Sequence, residues 1–263
     1  SVSFELEPIA AAFDYERRVG RESLTLIADI GGGTSDFTVV RLGPERVKHA
    51  DRQQDILATS GVHVAGTDYD RKLSVEQVMP LLGLRHHGPQ GREVPSAIFF
   101  DLATWHLINW LYTPKTWQQA QDLRVNYTDT RLHDRLATVL EHRLGHRLAS
   151  DVELAKIRSS ASDGATPIDL SYIERALATQ FDAASVARHL EGLLEQVMQS
   201  AGECVRRAGI LPGQLDAIYL TGGSSALKPF QQALQRHFPG VPLVEGDLFG
   251  GVASGLAYAG MRR

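Results

Sequence analysis

A single cysteine, Cys204, in a chain of 263 residues excludes an internal disulfide. No apolar run approaches the ~20 residues a helix needs to cross a bilayer. Basic residues do not outnumber acidic ones: 27 Lys and Arg against 31 Asp and Glu give a formal charge of -4 and a pI near 6.2. No Lys/Arg run is interleaved with aromatics to track a nucleic acid backbone, so neither nucleic acid nor membrane is an expected partner. The opening residues, Ser1-Val2 in place of Met, do not read as a signal peptide, so none is expected. The natural N-terminus is therefore expected upstream and a reducing cytoplasm is the expected compartment. What remains, 43% hydrophobic and 22% charged residues, is enough for one large domain or two lobes with a real core.

Against that ordinary background, Asp29-Ile-Gly-Gly-Gly-Thr-Ser-Asp36 sets three glycines between two acids. Leu24, Leu26, Ile27, Ala28 and Ile30 read as a buried strand, and Phe37, Thr38, Val39, Val40 and Leu42 as its hairpin partner. Lacking Cβ atoms, Gly31, Gly32 and Gly33 can take positive φ and aim their amides at phosphate oxygens. Asp29 and Asp36 would repel a phosphate directly, so their expected role is to hold Mg²⁺ through its waters. Thr34 would then sit near the terminal phosphate or an attacking water. The plainer alternative is a glycine hairpin with no ligand.

Ile56 to Ser60 reads as a third strand after a turn at Gly43-Pro44-Glu45. From Asp68 the pattern becomes helical: Arg71 to Leu82, Leu102 to Tyr112, a helix begun by Pro114, and the charged run from Asp129 to Leu148. The clearest helix is Ala183 to Ala208, whose apolar stripe includes Cys204, read as core. The end alternates strand and helix: Ala217 to Leu220, Leu227 to Phe238, Pro242 to Val244 and Val252 to Met261. The order suggests an α/β core interrupted by a helical insertion.

Two further loops repeat the glycine device. In Tyr219-Leu-Thr-Gly-Gly-Ser-Ser225, Gly222 and Gly223 would let a flat ligand lie against the backbone, with Ser224 capping the next turn. Gly61 to Gly66 leads into Thr67-Asp68, an expected N-cap near the strand ends. Each is as easily a structural turn, and His63 is more simply a packed or surface histidine than a ligand. Glu153, Lys156 and Ser160, at offsets of 0, 3 and 7, share one helical face that suits a ribose and base, or else an exposed ion pair. His142 and His146 have i, i+4 spacing but no acidic third ligand, so a zinc site is not expected.

Together these pieces are similar to the ATPase domain of the DnaK-type heat-shock chaperones, in the superfamily shared with actin and sugar kinases. Glu7-Pro-Ile-Ala-Ala-Ala12 resembles that family's Glu-Pro-Thr-Ala-Ala-Ala, and Asp29 to Asp36 its second phosphate motif. His63-Val-Ala-Gly-Thr-Asp-Tyr-Asp70 resembles its His-Leu-Gly-Gly-Glu-Asp-Phe-Asp. Glu153-Leu-Ala-Lys156 resembles its adenosine helix, Leu220 to Ser225 its adenosine-side turn, and Ala253 to Ala257 its closing linker helix. The Trp105 to Tyr112 region looks closest to YegD-like chaperones. The resemblance implies an actin-like (ribonuclease H-like) α/β lobe with a mostly helical inserted subdomain. Residues 1–18 would supply the last strand of a first lobe and the linker helix, 19–66 with 183–263 the nucleotide-binding core, and 67–182 the insertion.

By position, the resemblance gives ATP or ADP with Mg²⁺ as ligand. Glu7, Asp29 and Thr34 would act around the metal and attacking water, with Asp29 and Asp36 on the metal shell. Gly31 to Thr34 and Gly66 would hold phosphates, Glu153, Lys156 and Ser160 the ribose, and Gly222, Gly223 and Ser224 the adenosine side. Where the family sandwiches adenine between arginines, this chain has Ile157 and Ala226, and Asp247 is out of register with the family's final acid. No phosphate loop or lysine of the first lobe precedes Glu7, so the expected partners are that lobe and co-chaperone or client proteins. Losing one wall of the site predicts negligible turnover. The alternatives are a non-catalytic nucleotide-dependent switch or assembly module, and a small-molecule kinase or phosphatase of the same superfamily.

Overall fold

The computed structural model describes residue 12 and residues 15–48, 52–162 and 164–246. Two compact units are present, residues 1–66 with 192–263, and residues 67–191.

The first unit is built on a five-stranded mixed sheet. β1 (Ser23–Ile30) and β2 (Ser35–Leu42) form the expected hairpin, in register from Ser23 opposite Leu42 to Ile30 opposite Ser35. β3 (Ile56–Val62) pairs antiparallel to β2, whereas β6 (Ala217–Thr221) lies parallel to β1, and β7 (Leu243–Glu245) parallel to β6. The spatial order is β3-β2-β1-β6-β7. Leu26, Ile27, Ala28 and Ile30 are all fully buried, so both faces of β1 are covered. That is why its sequence is a continuous apolar run in place of an alternation. Between β6 and β7, the helix α7 (Lys228–His237) makes the crossover that parallel pairing demands.

Ala12, Ile27, Val40, Leu42 and Tyr219 form a buried cluster on which Tyr15 stacks at 5.2 Å from the Tyr219 ring. The same short segment is tied by charge: buried Glu16 accepts from the Gly43 amide at 2.9 Å and from both terminal nitrogens of Arg52, which also reaches buried Asp55. An ion pair closed this way contributes mainly by being complete, because removing one partner strands a charge.

Helix α6 (Ala183–Arg207) buries the expected stripe, and its Cys204 thiol donates to the Phe37 and Ala58 carbonyls. Burial pushes that thiol up to about 11. Iodoacetamide at pH 8 should therefore leave the native chain unlabelled and modify it fully in denaturant; rapid native labelling would contradict the core assignment.

The second unit is helical but differs from the expected boundaries. α1 (Gly66–Leu73) begins earlier than the apolar pattern indicates. It then widens into a π turn at Ser74–Val78 and tightens into a 3₁₀ turn at Met79–Leu82 that ends on left-handed Gly83. Leu102 to Tyr112 is not one helix: α2 (Ala97–Leu102) stops, and only Ile108–Leu111 forms a 3₁₀ turn before Thr113 caps α3 (Pro114–Asp122). The Thr104 hydroxyl returns to the Phe100 carbonyl, a local bond that competes with helix continuation.

The charged run also breaks, into α4 (Thr130–Glu141) and α5 (Gly145–Ala161). Arg143 takes φ 53, and the Arg143 and Leu144 amides donate to Leu140 and Val139. This is a Schellman closure with arginine where glycine is usual, which hides the stop from the sequence. A short antiparallel hairpin of β4 (Thr166–Asp169) and β5 (Ala178–Phe181), which the sequence pattern does not indicate, accompanies these helices.

Candidate functional site

The register places Gly61, Asp36, Asp29 and Thr221 side by side across β3, β2, β1 and β6. This row lies at the carboxyl ends of the parallel strands, where open α/β sheets present their ligand sites. Asp29 and Asp36 are thus directly opposed and half-buried. Like charges in such a pair repel, and a cation placed between them would relieve that repulsion. Room is made by glycine on either side. A Cβ on Gly61 would come within 2.5 Å of Asp36 Oδ1, and one on Gly222 within 2.6 Å of Asp29 Oδ1.

The triple glycine turn closes differently from the expected nest. Gly31 donates its amide to Thr34 O at 3.0 Å, and Gly31 O accepts from the Gly66 amide at 3.2 Å. None of Gly31, Gly32 and Gly33 is among the left-handed residues, so positive φ is not what these positions require. Space is: Gly32 and Gly33 are exposed, and a Cβ on Gly33 would meet nothing within 4 Å. The outward part of the turn is therefore Gly32 to Thr34, with the Gly31 amide committed to closing it.

Gly66 joins this turn to the second glycine loop, since its Cβ direction points at Ser224 Oγ and, at 3.2 Å, at Gly31 O. Ser35 Oγ donates to Val64 O at 2.7 Å and fixes the same loop from below. Because α1 starts at Gly66, Thr67 and Asp68 lie inside the helix and not at its cap. In the Gly222 loop the left-handed residue is Gly222 at φ 79, followed by a 3₁₀ turn over Gly223–Ala226. Its local hydroxyl bond comes from Ser225, which donates to Gly222 O at 2.7 Å. Gly61 and Thr221 lie within the two glycine loops singled out from the sequence, but only strand register shows them beside the acids.

Glu153, Lys156 and Ser160 lie on α5 in the other unit. Glu153 is exposed and Ser160 half-buried, but Lys156 is only 6% exposed and its Nζ lies 2.8 Å from Asp70 Oδ1. An exposed Glu153–Lys156 pair is thus replaced by a buried Lys156–Asp70 pair between α5 and α1. Burial raises the Asp70 carboxyl above the usual range, with the Lys156 ammonium pulling it back.

His63 is exposed, and His142 ends α4 while His146, on α5, contacts Asn109. No group of three or more His, Cys, Asp or Glu that could hold a metal occurs among the described residues. Glu7, Asp247 and the closing Ala253 to Ala257 segment lie outside the described residues.

Fold and site together define an α/β protein whose mixed sheet brings two opposed acids and three glycine-bearing loops to the strand ends. Sequence comparison adds that the chain is 26% identical over 239 residues, 88% of its length, to "Chaperone protein dnaK3" of Synechocystis sp.. It is also 25% identical over 249 residues to "Chaperone protein DnaK 3" of Synechococcus sp.. These distant likenesses support a DnaK-like family. The chain spans only 24% and 29% of those two relatives. No protein-family model matches it.

Proposed function

We propose that this chain is the second, nucleotide-binding lobe of a DnaK-like, actin-type ATPase, and that Asp29 to Asp36 takes the phosphates of ATP or ADP with Mg²⁺. The observation that carries this reading is the opposed Asp29–Asp36 pair beside the Gly32 to Thr34 turn. Two half-buried carboxylates with no lysine or arginine between them in the strand row suit a hydrated divalent cation. Bound there, Mg²⁺ would neutralise phosphate charge. Asp29 and Asp36 would hold its waters, Gly33 and Thr34 would meet phosphate oxygens, and Gly66 and Gly222 would keep side chains out of the approach.

The remainder of the ligand is assigned on the resemblance: ribose at Glu153, Lys156 and Ser160, adenosine side at Gly222, Gly223 and Ser224, and Glu7 near the attacking water. Catalysis would need the opposing lobe, so we expect negligible turnover from this chain alone. Co-chaperones and client proteins are proposed partners of the complete protein. The divergent Trp105 to Tyr112 region supports placing it with the YegD-like chaperones.

Titration of the 263-residue chain with a fluorescent ADP analogue, with Mg²⁺ or with EDTA, tests the reading. The parent should bind about tenfold or more tightly with Mg²⁺, a difference of roughly 1.4 kcal/mol. Asp36→Asn should lose that gain. It should also gain a few tenths of a kcal/mol in metal-free stability through relief of the repulsion. Equal affinity of the parent with and without Mg²⁺ would remove the assignment.

A nucleotide-dependent switch without turnover is a second reading. It is favoured by exposed Ile157 and Ala226 standing where the family's adenine-stacking arginines would be. Nucleotide-dependent light scattering without phosphate release from the complete protein would select it.

A further inference from the structure

Strand β6 is buried along its whole length, with Ala217, Ile218, Tyr219 and Leu220 all at 2% exposure or less. Thr221, at its carboxyl end, is 3% exposed, so packing alone asks for an apolar side chain there, and valine has nearly the same shape. The Thr221 hydroxyl makes no hydrogen bond to a described residue, nor is it among the enclosed polar atoms that lack one, so the oxygen opens onto the strand-end surface. Its neighbour there is Asp29. Thr221 pairs directly with Asp29 across the parallel ladder, and Asp29 with Asp36, which puts the three side chains on one face of the sheet. The Asp29 carboxylate leans towards β6: its Oδ1 lies 2.6 Å from where a Cβ on Gly222, the residue after Thr221, would stand. Asp36, by contrast, has Gly61 as its outer neighbour, which offers no side chain. Within the row, Asp29 is therefore the acid that a neighbouring hydroxyl can steady.

We infer that Thr221 is a positioning residue of the cation site: its hydroxyl donates to the Asp29 carboxylate and, through its lone pairs, accepts from a water of the cation's shell. The inference rests on the reading of Asp29 and Asp36 as holders of hydrated Mg²⁺. A hydroxyl suits this place for two reasons. It is uncharged, so it neither adds to the repulsion of the acid pair nor competes with the cation, and it can donate and accept at once. Its β-branched carbon restricts χ1, which presents the oxygen in few orientations. Carboxylates around a metal are themselves oriented by such hydrogen bonds, whose loss costs metal affinity about tenfold or more.

Two variants of the 263-residue chain separate the hydroxyl from the shape. The quantities read are the ratio of the affinity for a fluorescent ADP analogue in Mg²⁺ to that in EDTA, and the melting temperature without Mg²⁺. Thr221→Val keeps the buried shape and removes the hydroxyl. It should melt at or above the parent temperature, yet its Mg²⁺ gain should fall from about tenfold or more to about threefold or less. Thr221→Ser keeps the hydroxyl and removes a buried methyl, so it should melt a few degrees lower and retain the gain. Stability and metal response thus move in opposite directions in the two variants, which a threonine that only packs does not produce. A full gain in Thr221→Val, where the parent shows one, would overturn this inference and leave Asp29 and Asp36 in their roles. Equal losses in both variants would also overturn it, by assigning the effect to packing. A parent without any Mg²⁺ gain would remove the cation reading itself, and this inference with it.

Discussion

Lys156→Met should lower the unfolding free energy by about 3 to 5 kcal/mol at pH 7, the usual consequence of stranding one charge of a buried ion pair. Lys156 is 6% exposed and lies 2.8 Å from Asp70 Oδ1, so methionine fills a similar volume while leaving the carboxylate without that ammonium. The loss should depend on pH in a defined direction. Burial raises the Asp70 carboxyl in the folded state above its unfolded value near 3.8. A raised acid contributes stability that is fully present below the unfolded value and lost as pH rises through the folded one. Without Lys156 the carboxyl rises further, so the variant should fall progressively below the parent as pH rises above the unfolded Asp70 value near 3.8.

Urea unfolding at pH 4, 5.5 and 7 measures this directly. The difference from the parent should shrink towards pH 4 as Asp70 protonates, and Asp70→Asn in the same chain should restore most of the stability at pH 7. A deficit of constant size across the series would mean that Lys156 matters for its packed stem and not for its charge.

Gly222→Ala should cost about 3 kcal/mol or more and abolish Mg-dependent nucleotide binding. Gly222 has φ 79 and ψ 144, a region that only glycine occupies without strain, at about 1 to 3 kcal/mol for other residues. The added Cβ would also lie 2.5 Å from Ile30 O and 2.6 Å from Asp29 Oδ1. Backbone on one side and a site carboxylate on the other cannot both stay in place. Gly33→Ala is the contrasting case, since its Cβ meets nothing within 4 Å and the residue is not left-handed. It should change stability by less than about 1 kcal/mol. Thermal melts of the two variants, followed by the same ADP titration, separate a strained glycine from a merely small one. Similar effects at both positions would refute the geometric distinction.

Much of the sheet was legible because its central strands β1, β2 and β6 are buried on both faces. Leu26, Ile27, Ala28 and Ile30 form an apolar run too short for a helix and bounded by glycines, and α6 carries its stripe through 25 residues. The helical unit was harder. Its boundaries depend on Arg143 in a left-handed conformation, a π turn after Leu73, and the Thr104 hydroxyl returning to Phe100. Each is a local choice that residue type does not announce. Thr-Pro-Ile-Asp and Ala-Thr-Gln-Phe were too short to show a strand period, so the β4–β5 hairpin was missed.

By itself the sequence determined the α/β class, the hairpin with acids on either side of a glycine turn, and the burial of Cys204. These follow from local pattern: apolar runs, glycine between strands, and an apolar stripe at helical spacing. Only the tertiary structure decided that Asp29 faces Asp36 in a row with Gly61 and Thr221, that Gly66 closes on Gly31, and that Lys156 turns inward to Asp70. Strand register and buried charge pairing join residues far apart in the chain. Their partners are fixed by packing and desolvation, which no local window of sequence contains.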